Sequence, residues 1–522
     1  MSQPGPAPQP PEAERSEPPP PPRPNRGYRE WPGRLWASLR AASQGGWTSA
    51  SRDLAHWAAV AVPIGIVAGL GAALFFFLWK ESTQFFLVYV VGLGYPYPGA
   101  SGTQVVVWSS SFPRILLLPV VMTLGGLGAG LIAQFLAPEV AGHGTDETIS
   151  AFHNRQGRIR TRVPYLKIFA AALSLGSGGS GGREGPTSQI GAGFGSWWAG
   201  LLHLSDRDRR IALASGLGAG VGAIFRAPLG GAIFSAEIMY TGDLEPAVFV
   251  PSIIASVVSY SVYGTFYGFG TLFGTPSDLD WVPLQLPLYV LLALVCAGAG
   301  ILFVRLFWGT HTWFSALRWP LSLRVATGAG LSGLAVLVIY FLVPWQGNFA
   351  ALSAINVGYG FVQAAMLGQV GLTTLVPLAL AALAVAIVLR MITTSLTVGS
   401  GGAAGLFGTS VVIGALIGTS IGGLFHAVLP NLVDVGAISA FAIVGMMTFF
   451  GGISKAPLAV LVMAVEMTGS YQILAPAMIS IFIAYVVTGK NNLYRSQVAT
   501  RLDSPAHRDE FTQYLLENPP DV

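Results

Sequence analysis

Cysteine is nearly missing from this 522-residue chain. The one present, Cys296, lies in an apolar run, so no internal disulfide framework can form, and it reads as a small buried hydrophobe. Charge is scarce as well, at 10% Asp, Glu, Lys and Arg. A soluble domain carries roughly 25%. Strict polar/apolar alternation is absent, which excludes a transmembrane β-barrel. The few histidines show no metal-ligand spacing, so neither a metal nor a cofactor is expected. The first 32 residues hold 12 prolines, with five in a row at 18–22, and no apolar h-region of a signal peptide. Residues 1–50 are therefore expected to be a Pro-rich, solvated tail on the cytoplasmic side with an interfacial lead-in. The net charge of +4 comes largely from ends and loops and points to no nucleic-acid partner.

What is abundant is apolar residues, 52% of the chain, with a mean hydropathy of +0.60. This composition predicts an all-α polytopic membrane protein. Apolar segments fall at about 57–79, 113–136, 167–202, 207–224, 227–240, 247–266, 284–307, 321–344, 374–396, 406–426, 436–450, 456–468 and 471–488. Several are shorter than the roughly 20 residues of a full span. Glycine is also abundant, at 66 residues. Short, glycine-interrupted segments predict broken helices whose ends meet inside the membrane. The stretch at 142–167 is polar and holds Arg155, Arg158, Arg160, Arg162 and Lys167, so it is expected to face the cytoplasm. The tail at 503–522 is polar.

One carboxylate stands out. Residues 176–186 read GSGGSGGREGP, and Glu184 sits where this tract gives way to a long apolar run. An ionisable residue at membrane depth is costly and marks function by default. A helix N-terminus attracts anions. Glu184 is thus placed to occupy an anion site with its own carboxylate. The tract also recurs. GREGPTSQIGAGFG (182–195) aligns with GLFGTSVVIGALIG (405–418), and 216–237 aligns with 445–466, where a cation, Ala-Pro-Leu and a glutamate return in the same order. A duplication with two repeat halves, about 113–266 and 321–488, is the reading. Two halves that bring paired helix N-termini together suit an anion transporter.

Four ordered motifs carry a resemblance. GHGTDE (142–147), GREGP (182–186), GLFGT (405–409) and Tyr494 are similar to the signature segments of the CLC family of chloride channels and chloride/proton exchangers, of the prokaryotic type without C-terminal CBS domains. The resemblance covers 51–502, read as one CLC-type transmembrane domain. It implies about eighteen intramembrane helices in two inverted halves, many of them short or broken. It also implies a homodimer with one pore per subunit, in contact with membrane lipid. The activity implied is chloride transport rather than enzymatic catalysis, with protons as a second possible substrate. Glu184 would be the protonatable gate. The anion would be held by Leu406, Phe407 and Tyr494, with Arg183 and Gly185 at the outer site and His143 and Gly144 beside the central one. The expected location is the cell (plasma or inner) membrane, with both termini cytoplasmic.

Three departures bear on mechanism. His143 replaces the family's serine; its ring either donates into the anion site or points away, leaving the Gly142 and Gly144 backbone to act. Thr409 replaces a proline. The exchangers' internal proton-transfer glutamate falls on Ile238, which relays no proton, although a water path past Glu237 would serve. The sequence leans to chloride/proton exchange, with a passive voltage- or pH-gated chloride channel as the alternative. A remote alternative is an intramembrane serine protease built on Ser180 in GGSG and a histidine such as His143. Glu466, the repeat partner of Glu237, is expected to be a helix-end or packing carboxylate rather than a second proton site.

Overall fold

The computed structural model describes residues 49–94, 113–275, 279, 281–343, 348–367 and 376–508. The expectations for the Pro-rich tail, and for the polar C-terminal tail beyond 508, lie outside these residues. The described chain is helical, and eight of its helices are long and apolar enough to cross a membrane.

The chain enters with α1 (Ser49–Thr83), which continues in a π-helical stretch, Gln84–Val90. A first series follows: α2 (Leu118–Phe135), α3 (Thr145–Asn154), α4 (Arg162–Gly176), α5 (Glu184–Leu201), α6 (Asp206–Phe225), α7 (Pro228–Glu237) and α8 (Phe249–Tyr267). The long α9 (Leu286–Ala316) leads to a second series: α10 (Leu321–Leu342), α11 (Phe349–Leu352), α12 (Tyr359–Met366), α13 (Val376–Gly399), α14 (Phe407–Val428), α15 (Val435–Ser454), α16 (Pro457–Thr468) and α17 (Leu474–Thr488). This makes seventeen α-helices among the described residues.

The two series repeat each other in their packing. In the first, α2 packs on α4, α4 on α5, α5 on α6, and α6 on α7 and α8. In the second, α10 packs on α13, α13 on α14, α14 on α15, and α15 on α16 and α17. The aligned glycines explain part of this. A Cβ on Gly191 would lie 2.0 Å from the Gly216 carbonyl oxygen, and one on Gly414 would lie 2.4 Å from that of Gly445. Those are the same positions that the sequence repeat pairs. Without a hydrophobic drive between helices in lipid, such backbone approach is what holds them together.

The recurring cation and Ala-Pro-Leu also acquire a reason. Arg226 ends α6 and Lys455 ends α15, both in the left-handed region at φ 57° and 61°. Pro228 and Pro457 then open the next helix, where a missing N–H costs nothing. Each cation reaches the end of the helix after that. The Arg226 guanidinium donates to the Tyr267 carbonyl at 2.6 Å, and the Lys455 ammonium to Thr488 Oγ1 at 2.7 Å and the Tyr485 carbonyl at 3.1 Å. Helix C-termini present unpaired carbonyls that favour cations.

The glutamates of the repeat close the pattern. The Glu237 carboxylate accepts from the Leu458 and Ala459 amides at 3.2 and 2.8 Å. The Glu466 carboxylate accepts from the Leu229 and Gly230 amides at 3.1 and 2.7 Å. Each half thus supplies the N-terminal cap for a short helix of the other. The polar stretch 142–167, for which the sequence suggested no helix, contains the amphipathic α3. The segment that became α11 and α12 carried no sequence expectation.

Candidate functional site

The glycine tracts meet at the centre of the fold. Gly182 N donates to Gly405 O at 2.7 Å, and Gly405 N donates to Gly182 O at 2.6 Å. This antiparallel bridge brings the start of α5 beside the start of α14. Glu184 is the first residue of α5 and is 2% exposed. Its Oε2 accepts from the Gly408 amide at 3.1 Å, and its Oε1 accepts from the Tyr359 hydroxyl. A carboxylate therefore sits on the free N–H groups of the opposing helix, where an anion is favoured. Close approach requires the glycines here: a Cβ on Gly182 would be 2.0 Å from Glu184 Oε2, and one on Gly408 would be 3.0 Å from Oε1.

The amide in contact is that of Gly408, one residue beyond Leu406 and Phe407, which the resemblance assigns to the anion. Leu406 precedes the first turn of α14 and Phe407 opens it, so their amides share that helix start. The Phe407 ring packs among Phe225, Phe234 and Phe450. Arg183 is buried at 3% exposure, with its guanidinium over the rings of Phe76, Trp79 and Tyr359 at 5.3, 5.7 and 5.1 Å. Its Nε and Nη2 have no hydrogen-bond partner.

Tyr359 was not foreseen. It comes from α12, whose sequence carries no motif. The loop before it is held from several sides. The Arg390 guanidinium, fully buried, donates to the carbonyls of Ser353, Ile355 and Val357 and to Thr409 Oγ1. The Asn356 side chain accepts from Trp79 Nε1 and donates to Thr83 Oγ1. Thr409 thus exploits the loss of a proline: its hydroxyl bonds both Arg390 and Thr394, and Thr394 in turn bonds Ser180 Oγ at 2.8 Å. The Ser180 hydroxyl is engaged by a threonine, not by a histidine, which removes the geometric basis of the protease reading.

On the other side of the bridge lies the start of α3. A Cβ on Gly185 would be 2.1 Å from the His143 carbonyl oxygen, and one on Gly144, at φ +85°, would be 2.8 Å from the Gly185 carbonyl oxygen. The His143 ring lies 5.5 Å from the ring of Tyr494, which is 1% exposed. Ile238 is fully buried, and its carbonyl accepts from Gln497 Nε2 at 3.0 Å. Glu237 is occupied as the cap of α16.

Tyr494 is positioned by the segment that follows it. Thr241 N and Gly242 N donate to the carbonyls of Val498 and Ala499. Ser504 Oγ meets His153 Nδ1 at 2.8 Å, and His507 Nε2 meets Glu245 Oε2 at 2.8 Å, with the Tyr240 hydroxyl donating to the same oxygen. Burial opposes the Glu245 charge, but His507, Tyr240 and Arg501 outweigh it and hold the carboxyl below its ordinary range. Burial pushes the His153 imidazole down to about 4.

The comparisons agree with this architecture. A family model described as voltage gated chloride channel matches residues 125–489. A ClcB-like protein of Ralstonia nicotianae is 29% identical over 398 residues, covering 74% of this chain and 86% of its own. The H(+)/Cl(-) exchange transporter ClcA of Vibrio parahaemolyticus is 29% identical over 372 residues, covering 70% and 74%. Among solved structures, a slow cyanobacterial Cl-/H+ antiporter superposes with a TM-score of 0.68 at 20% identity, over 88% of this chain and 98% of that one. With a family match over most of its length and eight helices fit to cross a membrane, this chain is a multi-pass membrane protein that belongs to the voltage gated chloride channel (CLC) family.

Proposed function

We propose that the protein exchanges chloride for protons across the cell membrane, with Glu184 as the gate. The observation that carries this reading is the Glu184 carboxylate bound to the Gly408 amide. Charged, Glu184 fills the place that an anion would take at the α14 N-terminus. Protonation removes the charge that the helix end favours, and chloride then competes for the amides. The anion path runs past Leu406, Phe407 and Gly408 to Tyr494, with His143 and Gly144 alongside and Arg183 and Gly185 at the outer end. The exchanger named among the relatives supports proton coupling.

We further place the basic segment 155–167 and both termini on the cytoplasmic face, and take the working unit as a homodimer, as the family resemblance implies. Purified protein in liposomes, given a chloride gradient, is expected to move protons uphill. In Glu184→Gln, chloride flux should become independent of pH and proton movement should cease. A Glu184→Gln variant with wild-type coupling would end the gate assignment. The second reading, passive chloride conduction, is favoured by the apolar, buried Ile238. It predicts chloride flux with no uphill proton flux.

A further inference from the structure

Exchange requires a proton path to Glu184, and Ile238 provides no carrier for one. A cavity of about 340 Å³ opens where α3 begins, lined by His143, Asp146, Glu147, His311 and Arg495 against an apolar wall of Phe307 and Trp308. At roughly 30 Å³ per water, it accommodates about ten. His143 stands at its inner end, 8% exposed, with its ring 5.5 Å from Tyr494 and 6.1 Å from Phe307. The backbone of His143 touches Gly185, the residue after the gate. We propose that this vestibule conducts protons as well as anions, and that His143 hands them toward Glu184 in place of a carboxylate at position 238.

The surrounding groups fit that task. His311 Nδ1 donates to the Gly399 carbonyl at 3.1 Å, which leaves Nε2 as its basic nitrogen. Asp146 is fixed by the Ser496 amide on Oδ1 at 2.8 Å, and its own amide faces His143 Nδ1 at 3.5 Å. Glu147 pairs with Arg155 at 2.7 Å. Two cations keep the site from holding a proton for long. The Lys167 ammonium donates to the Val140 and Gly142 carbonyls just before His143, and the Arg495 guanidinium lies 4.0 Å above the Trp308 ring. The imidazole takes a proton from vestibule water on one nitrogen and releases one from the other. That proton passes by the Tyr494 hydroxyl or water to the Glu184 carboxylate, which leaves the Gly408 amide neutral while the imidazole returns to its neutral form.

This inference rests on the exchange reading, and one experiment separates the two. Chloride-driven proton flux and chloride flux are recorded in liposomes for the wild type, His143→Ser and Asp146→Asn. In His143→Ser the number of protons moved per chloride is expected to fall by roughly a hundredfold, the lower end of what a positioned proton carrier contributes, whatever the change in chloride flux itself. Asp146→Asn should show a smaller loss of the same kind. A wild type that couples, with His143→Ser at an unchanged proton-to-chloride ratio, overturns the vestibule path and leaves exchange standing. A wild type without uphill proton movement overturns both. Should His143→Ser lose both fluxes, His143→Gln, which keeps size and hydrogen bonding but carries no proton, decides by the same ratio.

Discussion

Tyr359→Phe isolates the hydroxyl that clasps Glu184, the proposed gate. The ring remains, packed at 5.5 Å from Phe273 and 5.1 Å from the Arg183 guanidinium, so only the bond to Glu184 Oε1 is lost. A hydrogen bond to a charged group is worth about 1.5–3 kcal/mol net. At about 1.4 kcal/mol per tenfold, the carboxylate's hold on the α14 N-terminus weakens by roughly 10- to 150-fold. Under the proposed mechanism chloride competes with that carboxylate for the same amides, so its apparent affinity should rise by a similar factor. Calorimetric titration with chloride in alkaline buffer measures the gain. Placed on a Glu184→Gln background, the same substitution should add little, because the partner charge is gone. An affinity in Tyr359→Phe that is unchanged or weaker would refute the clasp.

Other expectations follow from the repeat and from the C-terminal segment. Glu237→Gln and Glu466→Gln each remove a capping charge worth about 0.3–2 kcal/mol, so both should lower the apparent melting temperature by similar amounts and leave chloride flux in place; proton flux lost in Glu237→Gln alone would show that Glu237 lies on the proton path. Gly191→Ala forces a methyl against the Gly216 carbonyl and should cost about 1–3 kcal/mol, read as a lower melting temperature. Acid should loosen the segment 494–508. His153 lies at about 4 against an ordinary 6.5, so the unfolded chain binds its proton first, and stability present above 6.5 is lost as pH falls toward 4. At roughly 1.4 kcal/mol per pH unit, that gap amounts to about 3 kcal/mol. Glu245, held below its ordinary value, adds a loss of the same sign as pH falls further, through its own folded pKa. Hydrogen exchange across 494–508 at falling pH measures this; protection that rises with acid would contradict it.

The repeat was legible because its glycines do work that no other residue can. Gly191 with Gly216, and Gly414 with Gly445, are backbone contacts, and the sequence pairs them directly. The place of Glu184 at a helix start was legible because it is the one acidic residue where a glycine tract gives way to an apolar run. Tyr359 was not, because its relation to Glu184 is purely tertiary: a short helix 175 residues away is held in place by Arg390 and Asn356. The bond from the Gly408 amide to Glu184 was unforeseen for a similar reason. A motif locates the start of a helix, but which amide meets a given side chain depends on how the opposing segment enters. Thr409 was read as a tolerated replacement for proline, whereas its hydroxyl links Arg390 to Thr394.

The exchanged glutamate caps also bear on biosynthesis. Helix α7 is complete by residue 237, yet the carboxylate that satisfies its first amides belongs to Glu466. Gly405, the bridge partner of Gly182, also comes from the second half. As the chain leaves the ribosome, the first half therefore enters the bilayer with open helix ends and waits for more than two hundred residues to be made. Halves expressed as separate chains should accumulate only when both are present in the same membrane.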